Sequence, residues 1–291
     1  MRITAKRQKR SLSDRAAAAA FFCCGMTAVA AVAAITVYMI ASGGPAIAEI
    51  GLADFLFGTA WAPTAEEPQF GILPMILTTL IGAGGAVLLG GPVGILTAIF
   101  LSQAASPRAR RLLRPAVELL ADIPSVIYGL AGMTVLVPAV ARLLGLASGA
   151  TLLTAVLVLA IMILPTVISV SEAALDSVPP AVYETALALG ASPMQAVFEA
   201  VLPAARSGIV SAVILGAGRA MGETMAVVMV SGNVANLPNL FKSARFLTAG
   251  VASEMGYAAG LHREALFSIG LVLFCLITAV NLILNRSIRK N

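Results

Sequence analysis

Residues 150–170 form the sequence ATLLTAVLVLAIMILPTVISV, which contains no charged side chain. A helix needs roughly 20 consecutive apolar residues to cross the hydrocarbon core of a bilayer, and this run meets that length. The whole chain has the same character, because 59% of its 291 residues are hydrophobic and only 11% are charged. A soluble domain of average composition is about 25% charged. The sequence therefore predicts a multi-pass membrane protein rather than a soluble one.

Further apolar runs accompany this one and predict an all-α protein with six transmembrane helices. The first run follows a basic tail at residues 1–15 and is longer than the apolar core of a secretory signal, which has about 7–15 residues. We therefore expect a retained helix; a cleaved signal peptide is the alternative, because Ala46–Ala48 has the pattern of a cleavage site. The predicted spans are residues 16–41, 72–101, 116–141, 150–170, 207–230 and 265–284.

Basic residues predict the orientation of the spans, because cytoplasmic loops of membrane proteins are enriched in Lys and Arg. With the N-terminus in the cytoplasm, most of the 19 Lys and Arg residues fall on that side. The external segments keep only Arg142, Lys242, Arg245 and Arg263, and the external loop at residues 42–69 has acids but no basic residue. We therefore expect both termini in the cytoplasm.

Small residues recur at steps of four in two of the spans. One row runs from Gly82 to Ala98 in the second span, and the other runs from Gly208 to Ala220 in the fifth. Such rows let helix backbones approach closely in lipid. They predict packing within the chain, with a contact to a second subunit as the alternative.

Residues 180–203 form a polar segment between the fourth and fifth spans with strong helix signals. Pro180 suits the first turn of a helix, and Gly190 is a typical residue at a helix C-terminus. Ser192 and Gln195 have the spacing of a capping box that starts a second helix. We predict two short helices that protrude on the cytoplasmic side. Their apolar residues indicate a protein contact; a hairpin that merely connects two spans is the alternative.

The same segment resembles the coupling motif of bacterial ABC importer permeases. It contains Glu184-Thr185-Ala186, then Gly190, then Leu202-Pro203, with Thr185 and Ala200 departing from the pattern. Residues 115–129 (PAVELLADIPSVIYG) and 218–227 (GRAMGETMAV) are similar to signatures of phosphate importer permeases, the second to those of the PstC type. The resemblance covers roughly residue 70 to the end.

This resemblance implies a type I ABC importer permease fold over residues 71–291, preceded by the first transmembrane helix and a periplasmic loop at residues 16–70. It implies a bacterial inner-membrane protein that pairs with a second permease of the PstA type. An ATPase dimer and a periplasmic phosphate-binding protein would complete the assembly, and the loop with Lys242, Arg245 and Arg263 is a candidate contact for the latter. No nucleic acid partner is expected. The residues implied to couple to the ATPase are Glu184, Thr185, Ala186, Gly190, Leu202 and Pro203.

Arg219 and Glu223 interrupt the apolar fifth span and form the candidate substrate site. At 1.5 Å per residue, Arg219 lies about 20 Å into the helix that begins near Arg206, close to mid-bilayer. A charge there costs at least about 2.5 kcal/mol. The spacing of four residues predicts that the two side chains share one helix face. They form either a salt bridge that locks the bundle or an anion site in which the arginine fork binds phosphate oxygens, and the resemblance favours the anion site.

Glu118 and Asp122 are predicted to lie in the first two turns of the third helix, where acids are favourable. We interpret them as structural, with a gating or coupling contact as the alternative.

The chain shows no motif that predicts catalysis. None of its lysines follows the Gly-x4-Gly pattern of a phosphate-binding loop, so ATP and Mg²⁺ are expected on a partner ATPase and no cofactor is expected here. The three cysteines lack metal-ligand spacing and His262 is the only histidine, so no metal site is expected. The rival hypotheses are an importer of another oxyanion or of an organic solute, a stand-alone channel or secondary transporter, and a structural or sensory subunit.

Overall fold

The computed structural model describes residues 12–289, which are mostly helical. Within these residues five helical segments are long and apolar enough to span a membrane, and a sixth results if the pair Pro193–Ala204 and Arg206–Gly222, bent by 70°, counts as one span. The prediction of an all-α, multi-pass membrane protein is therefore confirmed. Residues 1–11, most of the predicted basic tail, lie outside the described residues.

Within residues 12–289 most connections between helices and strands are short, the long loop at residues 231–246 being an exception, and π-helical turns lie at residues 100–104, 132–136 and 196–201. In chain order the first elements are α1 (Leu12–Ile50), α2 (Leu52–Phe57), β1 (Trp61–Ala62), β2 (Gln69–Phe70), α3 (Leu73–Ile99), α4 (Pro107–Asp122), α5 (Ser125–Ala131), α6 (Val137–Leu144) and α7 (Leu152–Asp176). The remaining elements are α8 (Pro180–Ala188), α9 (Pro193–Gln195), α10 (Leu202–Ala204), α11 (Arg206–Gly222), α12 (Met225–Val230), α13 (Leu247–Glu254) and α14 (Gly260–Arg289).

The centre of the bundle is formed by α3, α7 and α11, which approach one another along small residues. A Cβ added at Gly90 of α3 would stand 2.7 Å from the carbonyl oxygen of Ala160, and one at Gly216 of α11 would stand 3.0 Å from Val167. These contacts confirm that the predicted rows of small residues pack within the chain. The buried members of the rows include Gly82, Ala86, Gly90, Gly94, Ala98, Ala212, Gly216 and Ala220.

The two ends of the bundle are built differently. Residues 177–205 lie at one end, termed the hairpin end, whereas residues 58–71 and 231–259 lie at the other, termed the loop end. At the loop end the backbone N–H groups of Leu152 and Leu153 donate to the carbonyls of Lys242 and Leu240. The loop thereby satisfies N–H groups that the first turn of α7 would otherwise leave without partners.

The first helix is longer than predicted, because α1 continues through Gly43, Gly44 and Pro45 to Ile50. Packing against α14 explains the continuation. Gly43 lies so close to α14 that an added Cβ would stand 2.7 Å from the backbone nitrogen of Ser268, whose hydroxyl donates to the Gly43 carbonyl at 2.6 Å. The predicted loop therefore starts after Ile50.

The third span begins at Ser125 rather than at residue 116. The residues before it form α4, a separate amphipathic helix that contains Pro115 and ends before Pro124. Ser106 caps this helix by accepting a hydrogen bond from the N–H of Ala109 at 3.2 Å. The predicted start of this span at residue 116 is therefore wrong, and Pro124 marks the boundary.

Candidate anion site and coupling hairpin

The fifth span is interrupted at Glu223, so the predicted continuous helix over residues 207–230 is wrong. Glu223 has an extended backbone (φ −66°, ψ 134°) between α11 and α12. A break inside a bilayer exposes backbone groups that need partners. Glu223 Oε1 accepts a hydrogen bond from the N–H of Ala226 at 3.1 Å, and Thr248 Oγ1 donates to the Glu223 carbonyl at 2.6 Å.

Arg219 and Glu223 do not form the expected pair. Arg219 Nη1 instead donates to Thr166 Oγ1 on α7 at 3.0 Å. Beyond the break the chain no longer keeps the helical spacing that would bring the two side chains together, and the carboxylate is used to cap α12. Among the side chains that the structure describes, no carboxylate oxygen lies within 4.0 Å of the Arg219 guanidinium. Its positive charge is therefore not neutralised by an ion pair in this part of the chain.

The surroundings of Arg219 are open and lie about half-way through the bundle. Arg219, Glu223 and Thr224 are all partly exposed. Gly218 and Gly222 of α11 face open space, because a Cβ added at either would have no atom within 4 Å. The result is a partly open surface that exposes both Arg219 and Glu223, and the arginine N–H groups there can bind the oxygens of an anion.

The segment after the break is held in place by α5. A Cβ added at Gly129 would stand 2.9 Å from the Cα of Ala226, and one added at Gly132 would stand 2.8 Å from Val230. Only residues without a side chain allow two helices to approach this closely. The last residue of the motif at residues 115–129, Gly129, therefore packs on α12, the helix after the break.

The hairpin at residues 180–203 has the predicted central features. Gly190 has a φ of +91°, a left-handed conformation that favours glycine. The N–H of Ser192 donates to Gln195 Oε1 at 2.9 Å, and the N–H of Gln195 donates to Ser192 Oγ at 3.3 Å. The capping box is thus confirmed. The π-helical turn at residues 196–201, which carries the chain toward α11, was not predicted.

The implied coupling residues lie on the surface of this hairpin. Glu184, Thr185, Gly190 and Pro203 are exposed, while Ala186 and Leu202 are half-buried. Large apolar side chains are exposed beside them, and Leu189 reaches 85% exposure. A surface of this kind is typical of a contact with another protein. The exposed apolar residues are Leu187, Leu189, Met194 and Phe198.

Glu118 and Asp122 lie in the last two turns of α4, so their predicted place at a helix N-terminus is wrong. Both are exposed. Glu118 Oε1 lies 3.7 Å from Arg114 Nε, and the same nitrogen lies 4.0 Å from Glu172 Oε1 of α7. Glu172 is only 3% exposed and was missed by the sequence reasoning. The contact joins α4 to the helix that leads into the hairpin.

A buried polar cluster at the loop end was also missed. Glu254, the last residue of α13, is 6% exposed and accepts hydrogen bonds from Arg245 Nη1 at 2.5 Å and Trp61 Nε1 at 2.9 Å. His262 Nε2 lies 2.8 Å from the Glu254 Oε2 atom. These four residues, termed the Glu254 clasp, join the strand hairpin, the long loop, α13 and α14. Arg245, predicted as a surface contact, has a largely buried side chain.

The described residues, 12–289, contain no group of three or more His, Cys, Asp or Glu side chains placed to hold a metal ion.

Broken helices and intramembrane charges are common features of membrane transport proteins. Residues 90–290 match the family described as "Binding-protein-dependent transport system inner membrane component". The chain therefore belongs to this family of membrane permease components.

Curated relatives match over most of the chain, which confirms the predicted resemblance. The Bacillus subtilis protein described as "Probable ABC transporter permease protein YqgH" is 36% identical over 94% of this chain and 90% of its own length. The "Phosphate transport system permease protein PstC" of Haemophilus influenzae is 38% identical over 87% of this chain and 86% of its own length.

Solved structures show the same fold at lower identity. A chain of the MetNI methionine ABC transporter in an inward-facing conformation is 22% identical with a TM-score of 0.56, covering 76% of this chain and 94% of that one. A chain of a bacterial alginate ABC transporter, in complex with an alginate-bound periplasmic protein, is 17% identical with a TM-score of 0.62, covering 97% and 98%. The type I importer permease fold is thereby confirmed.

Proposed function

We propose that this chain is the transmembrane permease subunit of an ATP-driven importer of inorganic phosphate. The observation that supports this most strongly is Arg219, which lies at mid-depth and, among the described side chains, forms a hydrogen bond to the hydroxyl of Thr166 and no ion pair with a carboxylate. An intramembrane charge is expensive and marks a substrate pathway by default. The relatives that are named as phosphate permeases indicate that the anion is phosphate.

Arg219 would bind the anion through its remaining N–H groups. A guanidinium has five donors in a planar fork that matches phosphate oxygens, and Thr166 engages one of them. Thr166 would orient the fork toward the open side of α11. Glu223, which lies just beyond the break, would limit the affinity by repelling the anion, so that phosphate is passed on rather than held.

The other components would be separate chains. A second permease of the PstA type would complete the pathway around the open face of α11, and an ATPase dimer would bind the exposed hairpin at residues 180–203. ATP and Mg²⁺ would be held by that ATPase, so this chain would not itself be an enzyme. A periplasmic phosphate-binding protein would dock at the loop end. In this arrangement the hairpin end and both termini would lie in the cytoplasm.

The test is ATP-driven uptake of radiolabelled phosphate in proteoliposomes that contain this chain, the second permease, the ATPase and the binding protein. Uptake is expected only when all four components and ATP are present. Leu189→Glu, a charge placed on the exposed hairpin surface, is expected to abolish uptake by releasing the ATPase. Leu143→Glu is the matched control, because Leu143 is equally exposed, at 83%, but lies at the loop-end terminus of α6. Since the binding protein would dock at this end, its binding to the Leu143→Glu complex is measured beside uptake.

Phosphate uptake that persists without ATP or without the ATPase would contradict the proposal and support the channel or secondary transporter. An assembled complex that takes up another solute but no phosphate would contradict the assigned substrate alone.

A further inference from the structure

We propose that α13 connects the break at Glu223 mechanically to the Glu254 clasp, and that Thr248 is the positioning residue at its inner end. The inference deepens the proposed function and rests on it in one respect, namely that the break borders the anion pathway. The geometry that carries it consists of two anchored ends of one short helix.

The inner end of α13 is fixed to the broken span. Thr248 Oγ1 donates to the Glu223 carbonyl at 2.6 Å, and the residue is 7% exposed. A carbonyl without a partner in the bilayer is strongly unfavourable, so the hydroxyl determines where the break can lie. The adjacent N–H of Leu247 donates to Thr79 Oγ1 of α3 at 3.1 Å, which holds the same end against the centre of the bundle.

The outer end of α13 is fixed at the loop end. Its last residue, Glu254, is the common partner of Arg245, Trp61 and His262, which belong to three other segments. A buried carboxylate with this many partners resists displacement unless the partners move with it.

The helix between the two ends transmits displacement. Thr248 and Glu254 are six residues apart, which is about 9 Å along a helix. Gly250, between them, packs closely enough on Met75 of α3 that an added Cβ would stand 3.2 Å from the sulfur. Helix α13 therefore packs closely on α3 between its two ends. A displacement of the Glu254 clasp would reach Glu223 through Thr248.

The test measures the exposure of the break in the assembled complex. Cys23, Cys24 and Cys275 are free and exposed, so each is first replaced by Ala. A reporter, Gly222→Cys, is then introduced where a side chain has open space. The rate of its reaction with a charged maleimide is measured alone, with Thr248→Val, with Glu254→Gln, and with both substitutions. Gly218→Cys, one turn earlier on the intact part of α11, is the control reporter.

Each single substitution is expected to change the reaction rate at the Gly222→Cys reporter by about 2- to 10-fold, the range for one lost hydrogen bond. The double variant is expected to change it no more than the larger single variant, because both act along one connection. Thr248→Ser is expected to restore the original rate, and the control reporter is expected to change by less than about twofold.

The inference is overturned if the Thr248→Val rate equals the original, or if the two effects multiply. If the Thr248→Val chain does not assemble into the complex, Thr248→Ala, which removes the same hydroxyl, is used instead of Thr248→Val in every measurement. The maleimide reaction needs no phosphate, so a failure of the proposed substrate leaves this test intact.

A transport measurement separates positioning from mere stability. Phosphate moved per ATP hydrolysed is expected to fall in Thr248→Val at equal amounts of assembled complex and to recover in Thr248→Ser. A purely structural role would lower the amount of complex without changing this ratio, and that result would also overturn the inference.

Discussion

Thr166 and Arg219 form a hydrogen bond of 3.0 Å between α7 and α11, half-way along the bundle. A salt bridge between Arg219 and Glu223 was the alternative to the anion site, and the bond to Thr166 is found in its place. A bridge would neutralise the arginine, whereas a hydroxyl orients it and leaves its charge in place. The expected salt bridge to Glu223 is therefore absent among the described residues, and the anion-binding role of Arg219 stays a prediction.

Arg219→Gln is expected to abolish phosphate uptake while the complex still assembles, because the substitution removes the charge and the planar donors. Loss of one charge-assisted hydrogen bond, worth about 1.5–3 kcal/mol, corresponds to a decrease in apparent affinity of about 10- to 150-fold, and loss of several such bonds corresponds to more. Arg219→Lys keeps the charge without the fork and is expected to retain partial uptake. Initial rates at several phosphate concentrations measure the effect, and normal uptake by Arg219→Gln would refute the assigned role.

Gly190→Asp is expected to uncouple the ATPase from transport without affecting membrane insertion. The left-handed backbone of Gly190 costs a side-chain-bearing residue about 1–2 kcal/mol, which distorts the junction of the hairpin helices. The matched control is Gly145→Asp, since Gly145 is also left-handed (φ +63°) but ends α6 at the loop end. ATPase stimulation by the binding protein is measured for both, and binding of that protein is measured beside it, because it would dock at the same end as Gly145. Stimulation in Gly190→Asp equal to that of the unmodified chain would count against the coupling role.

Gly129→Ala is expected to destabilise the protein by about 1–3 kcal/mol, the usual effect of overpacking. The added methyl group would meet the backbone of Ala226 at 2.9 Å, so α5 and α12 must separate. Gly84→Ala is the control, because no atom lies within 4 Å of its added Cβ. Thermal unfolding in detergent measures both variants, and an unchanged Gly129→Ala protein would show that the helices can separate freely.

Arg114→Gln is expected to destabilise the protein more than Glu172→Gln does. Removing the arginine leaves the nearly fully buried Glu172 carboxylate without its cation, whereas removing the carboxylate leaves a half-exposed arginine in contact with water. Thermal unfolding of the two variants and of the double variant separates these effects. If Glu172→Gln destabilises the protein more than Arg114→Gln does, the buried carboxylate is not stabilised by the arginine 4.0 Å away.

Local signals predicted the local features correctly. The Ser192 and Gln195 capping box, the left-handed Gly190 and the rows of small residues each depend on residues a few positions apart, so their spacing is sufficient. The first and third spans show the limit of this reasoning. Packing on Ser268 keeps α1 helical through two glycines and Pro45, and α4 accommodates Pro115, although both sequences carry helix-breaking residues.

The sequence predicted the two residues of the candidate site, Arg219 and Glu223, but not the helix break at Glu223 or the hydrogen bond from Arg219 to Thr166. Residues 225–230 continue the apolar run, and no proline marks the break, so periodicity alone favoured one long helix. The polar pair Glu223-Thr224 after Gly222 was the available signal. The Glu254 clasp could not be predicted, because Trp61 and Glu254 are separated by 193 residues and only the tertiary fold brings them together.

The central claim is that Arg219 lies on the pathway of phosphate in an ATP-driven importer. The most direct measurement is the initial rate of radiolabelled phosphate uptake by the reconstituted complex, with excess unlabelled phosphate or sulfate as competitor, in the unmodified chain and in Arg219→Gln. We expect ATP-dependent uptake that unlabelled phosphate suppresses, that sulfate leaves largely unchanged, and that Arg219→Gln lacks. Equal suppression by sulfate, or full uptake by Arg219→Gln, would contradict the claim.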